Sequence, residues 1–276
     1  MPDIKENIDL FADIAAPLQP PQPIQLAEDT AQQLKLAGQV QRSFLPSQLP
    51  DSDKLKWSVI FRPADFVSGD IYDATRLDEQ HIGFYIADAV GHSVPAALLT
   101  MFLKQALVMR QTTGEDYRIF PPTDVMKNLN QKMLDQKLDG SLFATCCYCL
   151  LNTKTMQVTY ARAGHPYPIL IKTGAQPIQL QNRGGLLGIF QQTEYAQDTV
   201  QLEQGDKLFI YSDGCESHVG YCDDDGAFHF TDAFLNICDL PVEEMTGEFE
   251  QMVIANPTPD DILDDVTVLA LEILNT

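Results

Sequence analysis

Apolar and polar positions alternate along much of this chain in short runs. Short β-like runs predict strands at Trp57–Arg62, Ile82–Ala87, Leu142–Leu151 and Gln157–Ala163. Further runs predict strands at Ile169–Lys172, Asp198–Leu202, Lys207–Tyr211 and Val266–Ile273. Apolar positions three and four apart predict helices over Leu26–Phe44, Pro95–Gln111, Pro122–Leu138 and Thr231–Ala255, the first stopping before Pro46. Strands that pair in sequence, with helices inserted in pairs, predict an α+β fold: antiparallel sheets with helices on their outer faces.

The first residues follow a different pattern. Residues 1–15 have the spacing of a short amphipathic helix, with Ile4, Ile8, Phe11 and Ile14 on one face and Asp3 and Glu6 placed as a capping box. Pro17, Pro20, Pro21 and Pro23 then interrupt regular structure and mark a linker. The expected division is therefore 1–25, a helix and linker, and 26–276, the main domain. The first part reads equally as a junction to a sensor or receiver domain, a homodimer contact between N-terminal helices, a partner-docking peptide or a frayed terminus.

Composition narrows the partners. The 276 residues include 39 acidic and 18 basic side chains, a formal charge of −21. Such a surface repels nucleic acid and anionic membranes. No apolar run is long enough to span a bilayer, and the N-terminus lacks the basic-then-apolar pattern of a secretory signal. Cys146 and Cys149 form a C-x-x-C, but alternation places them on opposite faces of a strand, and no second pair follows at zinc-ribbon spacing. The six cysteines read as small core residues in a reduced, cytoplasmic setting.

The candidate chemistry is carried by four aspartates in separate motifs. Asp70 lies in Ser68-Gly69-Asp70-Ile71-Tyr72-Asp73, and Asp88 in Ile86-Ala87-Asp88-Ala89-Val90-Gly91-His92. Asp213 lies in Tyr211-Ser212-Asp213-Gly214, and Asp264 in Asp264-Asp265-Val266-Thr267. Asp70 is expected in a turn, Asp88 and Asp213 at strand exits, and Asp264 at a strand entrance. Carboxylates gathered in one cleft repel one another unless a cation neutralises them. Oxygen ligands of this type suit Mg²⁺ or Mn²⁺, and paired ions of that kind activate water for attack on phosphorus. Each motif alone reads as an ordinary turn or cap. His92 reads as a turn residue and His165, in Ala163-Gly164-His165-Pro166, as a structural turn between two strands. Asp223-Asp224-Asp225-Gly226 lacks the remaining ligands of a calcium loop and reads as solvated.

Taken together and in order, the motifs resemble the metal-dependent serine/threonine phosphatases of the protein phosphatase 2C-like (PPM) family. The likeness is to the bacterial branch of stage II sporulation protein E and the sigma-B regulator phosphatases. It rests on Gln41-Arg42-Ser43-Phe44-Leu45-Pro46, Pro63 to Asp73, Ala87 to His92, Phe143-Ala144-Thr145, Ala163 to Pro166, Leu187-Gly188-Ile189, Gly205-Asp206, Tyr211 to Gly214 and Asp264 to Thr267. It covers about residues 38–275.

The resemblance implies a four-layer α-β-β-α sandwich with a binuclear Mn²⁺ or Mg²⁺ site between the sheets. Asp88 would bridge two ions, the Ala89 carbonyl would ligate one, Asp213 and Asp264 would complete the other, and Asp70 would act through held water. The implied reaction is direct attack of a metal-activated water on phosphoserine or phosphothreonine. The implied substrate is a phosphorylated STAS-domain antagonist of an anti-sigma factor, in partner switching. Two departures stand out: Gly91-His92-Ser93 replaces Gly-His-Gly, and Ser68-Gly69 replaces Gly-Gly. They leave open a catalytically weak adaptor that sequesters a regulator. A hydrolase of small phosphoesters or nucleotides is a weaker alternative, since the chain has no P-loop.

Overall fold

The computed structural model describes residues 23–91, 93–137, 142–255 and 264–275. The segment 1–22, with its expected helix and most of its linker, lies outside the described residues, as does His92.

The chain opens with α1 (Pro23–Ser43), then β1 (Leu55–Arg62), β2 (Asp70–Arg76) and β3 (His81–Ala89). Helix α2 (Val94–Ala106), a hairpin of β4 (Arg110–Thr113) and β5 (Asp116–Ile119), and α3 (Pro122–Asp135) follow. Next come β6 (Ala144–Asn152), β7 (Gln157–Ala163), β8 (Ile169–Ile171), β9 (Ile178–Gln179), β10 (Gln197–Gln201) and β11 (Lys207–Tyr211). A 3-10 turn at Asp213–Cys215 leads into α4 (Glu216–Val219), the hairpin β12 (Gly220–Cys222) and β13 (Phe228–Phe230), and α5 (Asp232–Ile237). The described chain closes with α6 (Val242–Ala255) and β14 (Val266–Ile273).

Two antiparallel sheets result, in the orders β1-β14-β11-β8-β9 and β10-β7-β6-β3-β2. They stack face to face. Alternation sends Ile82, Phe84 and Ile86 of β3 into the space between them, where they meet Leu208 and Ile210 of β11 and Leu269 and Leu271 of β14. Trp57 meets Phe84 edge to face, with ring centroids 4.9 Å apart. Each such fully buried side chain contributes about 1.5–3 kcal/mol. The opposite face of the β3 sheet, with Tyr85, Ala87 and Ala89, is covered by Leu99 and Leu103 of α2 and Met126 and Leu129 of α3. The opposite face of the β14 sheet, with Phe209 and Val268, is covered by Phe234 of α5 and Phe249 of α6. The architecture is the four-layer α-β-β-α sandwich.

Pairing is less sequential than the run order suggests: the first strand, β1, pairs with the last, β14. The helix expected to reach Gln111 ends at Ala106, because Arg110–Thr113 turns back on β5 through Gly114 at φ +64°. The stretch expected as one helix over Thr231–Ala255 is two, since Pro241 lies between α5 and α6 and cannot donate a helical hydrogen bond. Helix α3 ends at Asp135 rather than Leu138, and α1 starts three residues before Leu26. Cys146 packs on the helix side and Cys149 between the sheets, and both are buried free thiols. No helix among the described residues is long and apolar enough to cross a membrane.

Candidate metal centre

Strand parity decides what faces the gap between the sheets. In β14, Leu269 and Leu271 point into it, so Thr267 and Asp265, two and four residues earlier, share that face. In β11, Leu208 and Ile210 set the same parity for Ser212. From the other sheet, Asp70 stands directly opposite Asp88 and Asp88 directly opposite Thr145. Two of these placements correct the sequence reading. Asp70 is the first residue of β2, a strand the pattern did not reveal, and Asp88 lies within β3, not beyond its end. Asp213 opens the 3-10 turn after β11 and Asp264 precedes β14, as expected.

Backbone contacts join these pieces. Asp265 accepts from the Ala64 amide through Oδ1 at 2.8 Å and from the Gly69 amide through Oδ2 at 2.6 Å. Gly69 must be glycine: a Cβ there would lie 2.4 Å from the Gly91 carbonyl oxygen and 3.0 Å from that of Ala89. Gly214 is equally constrained, its Cβ position lying 2.3 Å from the Asp265 carbonyl oxygen. Ser212 Oγ donates to that carbonyl at 3.2 Å and accepts from the Thr267 amide at 2.9 Å. The turn carrying Asp213 is thus fixed to the segment carrying Asp264.

The sequence marked Ser68 only as a departure and Gln41 only as part of a motif, and both are buried. Ser68 Oγ accepts from the Asp70 amide at 3.0 Å. Gln41 of α1 accepts from the Ser68 amide at 2.8 Å and donates to the Ser68 carbonyl at 2.7 Å and to Thr100 Oγ1 at 3.1 Å. Asp265 and Gln41 both lie in the quoted motifs, but which side chain makes which contact follows only from the fold.

The carboxylates share one electrostatic field. Burial, then the charges of Asp88 and Asp265, pushes the Asp70 carboxyl well above the usual aspartate range, against the opposing hydroxyls of Thr267 and Ser212. Its Oδ2 is buried and makes no hydrogen bond. Burial, then Asp213, Asp264 and Asp265, pushes Asp88 up to about 8, with Thr145 opposing. Burial also raises Asp265, while the Ala64 and Gly69 amides pull it back. Among the described residues, no three Asp, Glu, His or Cys side chains are drawn together tightly enough to grip an ion as they stand. The donors are hard oxygens, and Asp70 Oδ2 is buried with no protein partner. They fit Mg²⁺ or Mn²⁺.

His165 lies between the sheets' strands, since Ala163 ends β7 in one sheet and β8 begins the next run in the other. It is buried, its Nδ1 is 2.8 Å from Thr145 Oγ1, and burial followed by the Arg162 charge lowers its pKa to about 3. The ring is neutral at ordinary pH and holds the threonine opposite Asp88. Asp223 accepts from the Asp225 and Ala227 amides and forms the turn of the β12–β13 hairpin.

The family model for stage II sporulation protein E (SpoIIE) matches residues 78–274. The chain belongs to the stage II sporulation protein E family. Among curated relatives, the phosphoserine phosphatase RsbU of Bacillus subtilis (strain 168) is 32% identical over 200 residues, covering 71% of this chain and 58% of RsbU. The chain spans about half the length of the curated relatives it matches, 58% of RsbU and 47% of RsbP. Among solved structures, the SiaA-PP2C domain of Pseudomonas aeruginosa superposes with a TM-score of 0.72 at 19% identity, covering 91% of this chain and 99% of that one. RsbX in complex with magnesium superposes with a TM-score of 0.58 at 17% identity, covering 82% and 98%. These structures share the fold of this family member.

Proposed function

We propose that the chain is a metal-dependent serine/threonine protein phosphatase. The observation that carries the reading is the buried Asp70 carboxylate, unpartnered at Oδ2 and directly opposite Asp88 on the gap between the sheets. A fold that needed these positions only for packing would not gather like charges there. The name of RsbU, a phosphoserine phosphatase, and the magnesium in the RsbX complex support the same reading.

In this reading Asp88, the Ala89 carbonyl, Asp213 and Asp264 would hold two Mn²⁺ or Mg²⁺ ions, Asp88 serving both, the Ala89 carbonyl one and Asp213 and Asp264 the other, and Asp70 would act through held water. Such ions would supply charge neutralisation at the phosphoryl oxygens and lower the pKa of the attacking water. The chain's own residues do the positioning. Asp70 and Asp88 are set by strand register, Thr145 braces Asp88 from the adjacent strand, and neutral His165 holds Thr145. The substrate is a phosphorylated STAS-domain antagonist of an anti-sigma factor, met in the cytoplasm, and the segment before residue 26 is a junction to a regulatory domain. The ordered family motifs support these assignments. Ser68 fills a structural place beside Asp70, which favours a working enzyme over an adaptor.

The test is phosphate release from a phosphorylated STAS protein with Mn²⁺ and with chelator, for the wild type and Asp88→Asn. Metal-dependent turnover lost in the variant supports the reaction and the site together. Partner binding without turnover at saturating Mn²⁺ overturns the enzyme in favour of the adaptor.

A further inference from the structure

We infer that Asp265 is a positioning residue: its carboxylate clamps the loop of residues 64–69 across the gap between the sheets and thereby sets Asp70 against Asp213 and Asp264. The inference rests on the phosphatase reading of the same site and assigns that site a part not yet described.

Both Asp265 oxygens are engaged, Oδ1 with the Ala64 amide at 2.8 Å and Oδ2 with the Gly69 amide at 2.6 Å. Charge-assisted bonds to backbone amides are among the stronger hydrogen bonds in proteins. The partners lie 201 and 196 residues away in sequence, so no local propensity holds the loop in place. The other ties on the loop come from α1, from the loop itself and from β3 of the opposite sheet: Gln41 on Ser68, Ser68 Oγ on the Asp70 amide, and the Ala89 amide on the Gly69 carbonyl. Asp265 alone among these ties belongs to the sheet that carries Asp213 and Asp264. Its own carbonyl is fixed by Ser212 Oγ and by the close approach of Gly214. The Gly69 carbonyl in turn accepts from the Ala89 amide at 2.9 Å. Asp265 therefore reaches the Asp70 loop through its side chain and the Asp213 turn through its main-chain carbonyl, while the loop's Gly69 carbonyl carries the link on to the backbone at Ala89. An aspartate suits the place because two amides converge on it. Asparagine offers one acceptor oxygen and turns an NH₂ toward the second amide.

The test uses the full chain as Asp265→Ala and Asp265→Asn, with three readouts. Metal-free hydrogen exchange at the Ala64 and Gly69 amides reports the clamp directly. Calorimetric Mn²⁺ titration without substrate reports the ion affinity. Phosphate release as a function of Mn²⁺ separates affinity from turnover. In Asp265→Ala, exchange at Ala64 and Gly69 should quicken at least about tenfold while Val268 and Tyr85 amides stay protected. Mn²⁺ affinity should fall by about 10–100-fold, the usual effect of losing a group that orients a metal ligand. Saturating Mn²⁺ should restore turnover, and Asp265→Asn should fall between the two.

Unchanged exchange at Ala64 and Gly69 overturns the inference. So does turnover that no Mn²⁺ concentration restores, which would make Asp265 a direct participant. If the alanine variant fails to fold, exchange in Asp265→Asn decides by the same comparison. If the wild type binds no Mn²⁺ and releases no phosphate, the phosphatase reading falls, while the exchange result still decides whether the clamp exists.

Discussion

The two walls of the candidate centre are built differently. On one wall Asp70 and Asp88 are strand residues, locked opposite each other by register, Asp70 buried and Asp88 half-buried. On the other wall Asp213 and Asp264 sit in turns at the ends of β11 and β14, with Asp213 exposed. The first wall concentrates negative charge where water screens it poorly. The second leaves its carboxylates where ions and a phosphorylated side chain can arrive. Rigidity and electrostatic strain therefore lie on one sheet and access on the other, and the two walls should respond differently to the same substitution.

The largest expected effect tests that difference. Asp88→Asn and Asp213→Asn should each cut metal-dependent phosphate release by about 10²–10³-fold, the usual loss when a preorganised electrostatic group goes. Stability without metal should separate them. Asp88→Asn spares the folded chain the proton that Asp88 must take up to fold at pH 7, and should stabilise the chelated protein by roughly 1–3 kcal/mol in urea unfolding. Asp213→Asn should stay within about 0.5 kcal/mol of wild type, as exposed substitutions do. Equal stability changes in both variants would erase the distinction between the walls.

The pH dependence follows from the same charges. Asp88 is raised from 3.8 to about 8, so the folded protein binds more protons than the unfolded chain between those values. Its contribution to stability is complete below the unfolded value and is lost as pH climbs through the folded one. The urea midpoint of chelated protein should therefore fall from pH 5 to pH 8, and Asp88→Asn should flatten that slope. Saturating Mn²⁺ should oppose the fall, since the cation takes the place of the proton. A midpoint rising with pH in chelator would contradict the assignment of strain to this wall.

The same asymmetry explains what the sequence could and could not reveal. Strands that are nearly continuous apolar runs, such as Lys207–Tyr211 and Val266–Ile273, were legible to the residue. Strand β2 was not, because its inward row begins with Asp70 and its outward row carries Asp73, so the run reads as a polar turn. The functional demand for a buried carboxylate erased the signal that would have marked the strand. The helix ends at Ala106 and Pro241 were missed for another reason: apolar residues continue past both, and turn chemistry beyond them decides the break. Asp70, Asp88, Asp213 and Asp264 were legible as a set through their ordered motifs. Their support was not. Asp265, Gln41 and Thr145 act through contacts with residues remote in sequence, and only folding brings those together.

Support from α1 gives a smaller effect. Gln41→Ala removes two bonds to the Ser68 backbone and leaves a buried amide and carbonyl unpaired. It should cost about 1–3 kcal/mol in urea unfolding. If α1 braces the strained wall, Mn²⁺ affinity should weaken with it. Lost stability with unchanged affinity would make the helix a cover and not a brace.

The smallest effect is the most discriminating about Ser68. Its hydroxyl accepts from the Asp70 amide at 3.0 Å, and the residue is fully buried. If serine here is damage to an ancestral Gly-Gly turn, Ser68→Gly should raise turnover. If serine is an anchor for Asp70, the same change should lower stability by about 1 kcal/mol for the bond, with a few tenths more from the freer unfolded chain. It should also loosen exchange at the Asp70 amide without raising turnover. The hydrogen bond points to the anchor, because an amide at the start of a buried strand needs an acceptor and Ser68 Oγ supplies one. A rise in phosphate release in Ser68→Gly, at unchanged Mn²⁺ affinity, would instead show that this wall is held more tightly than catalysis requires.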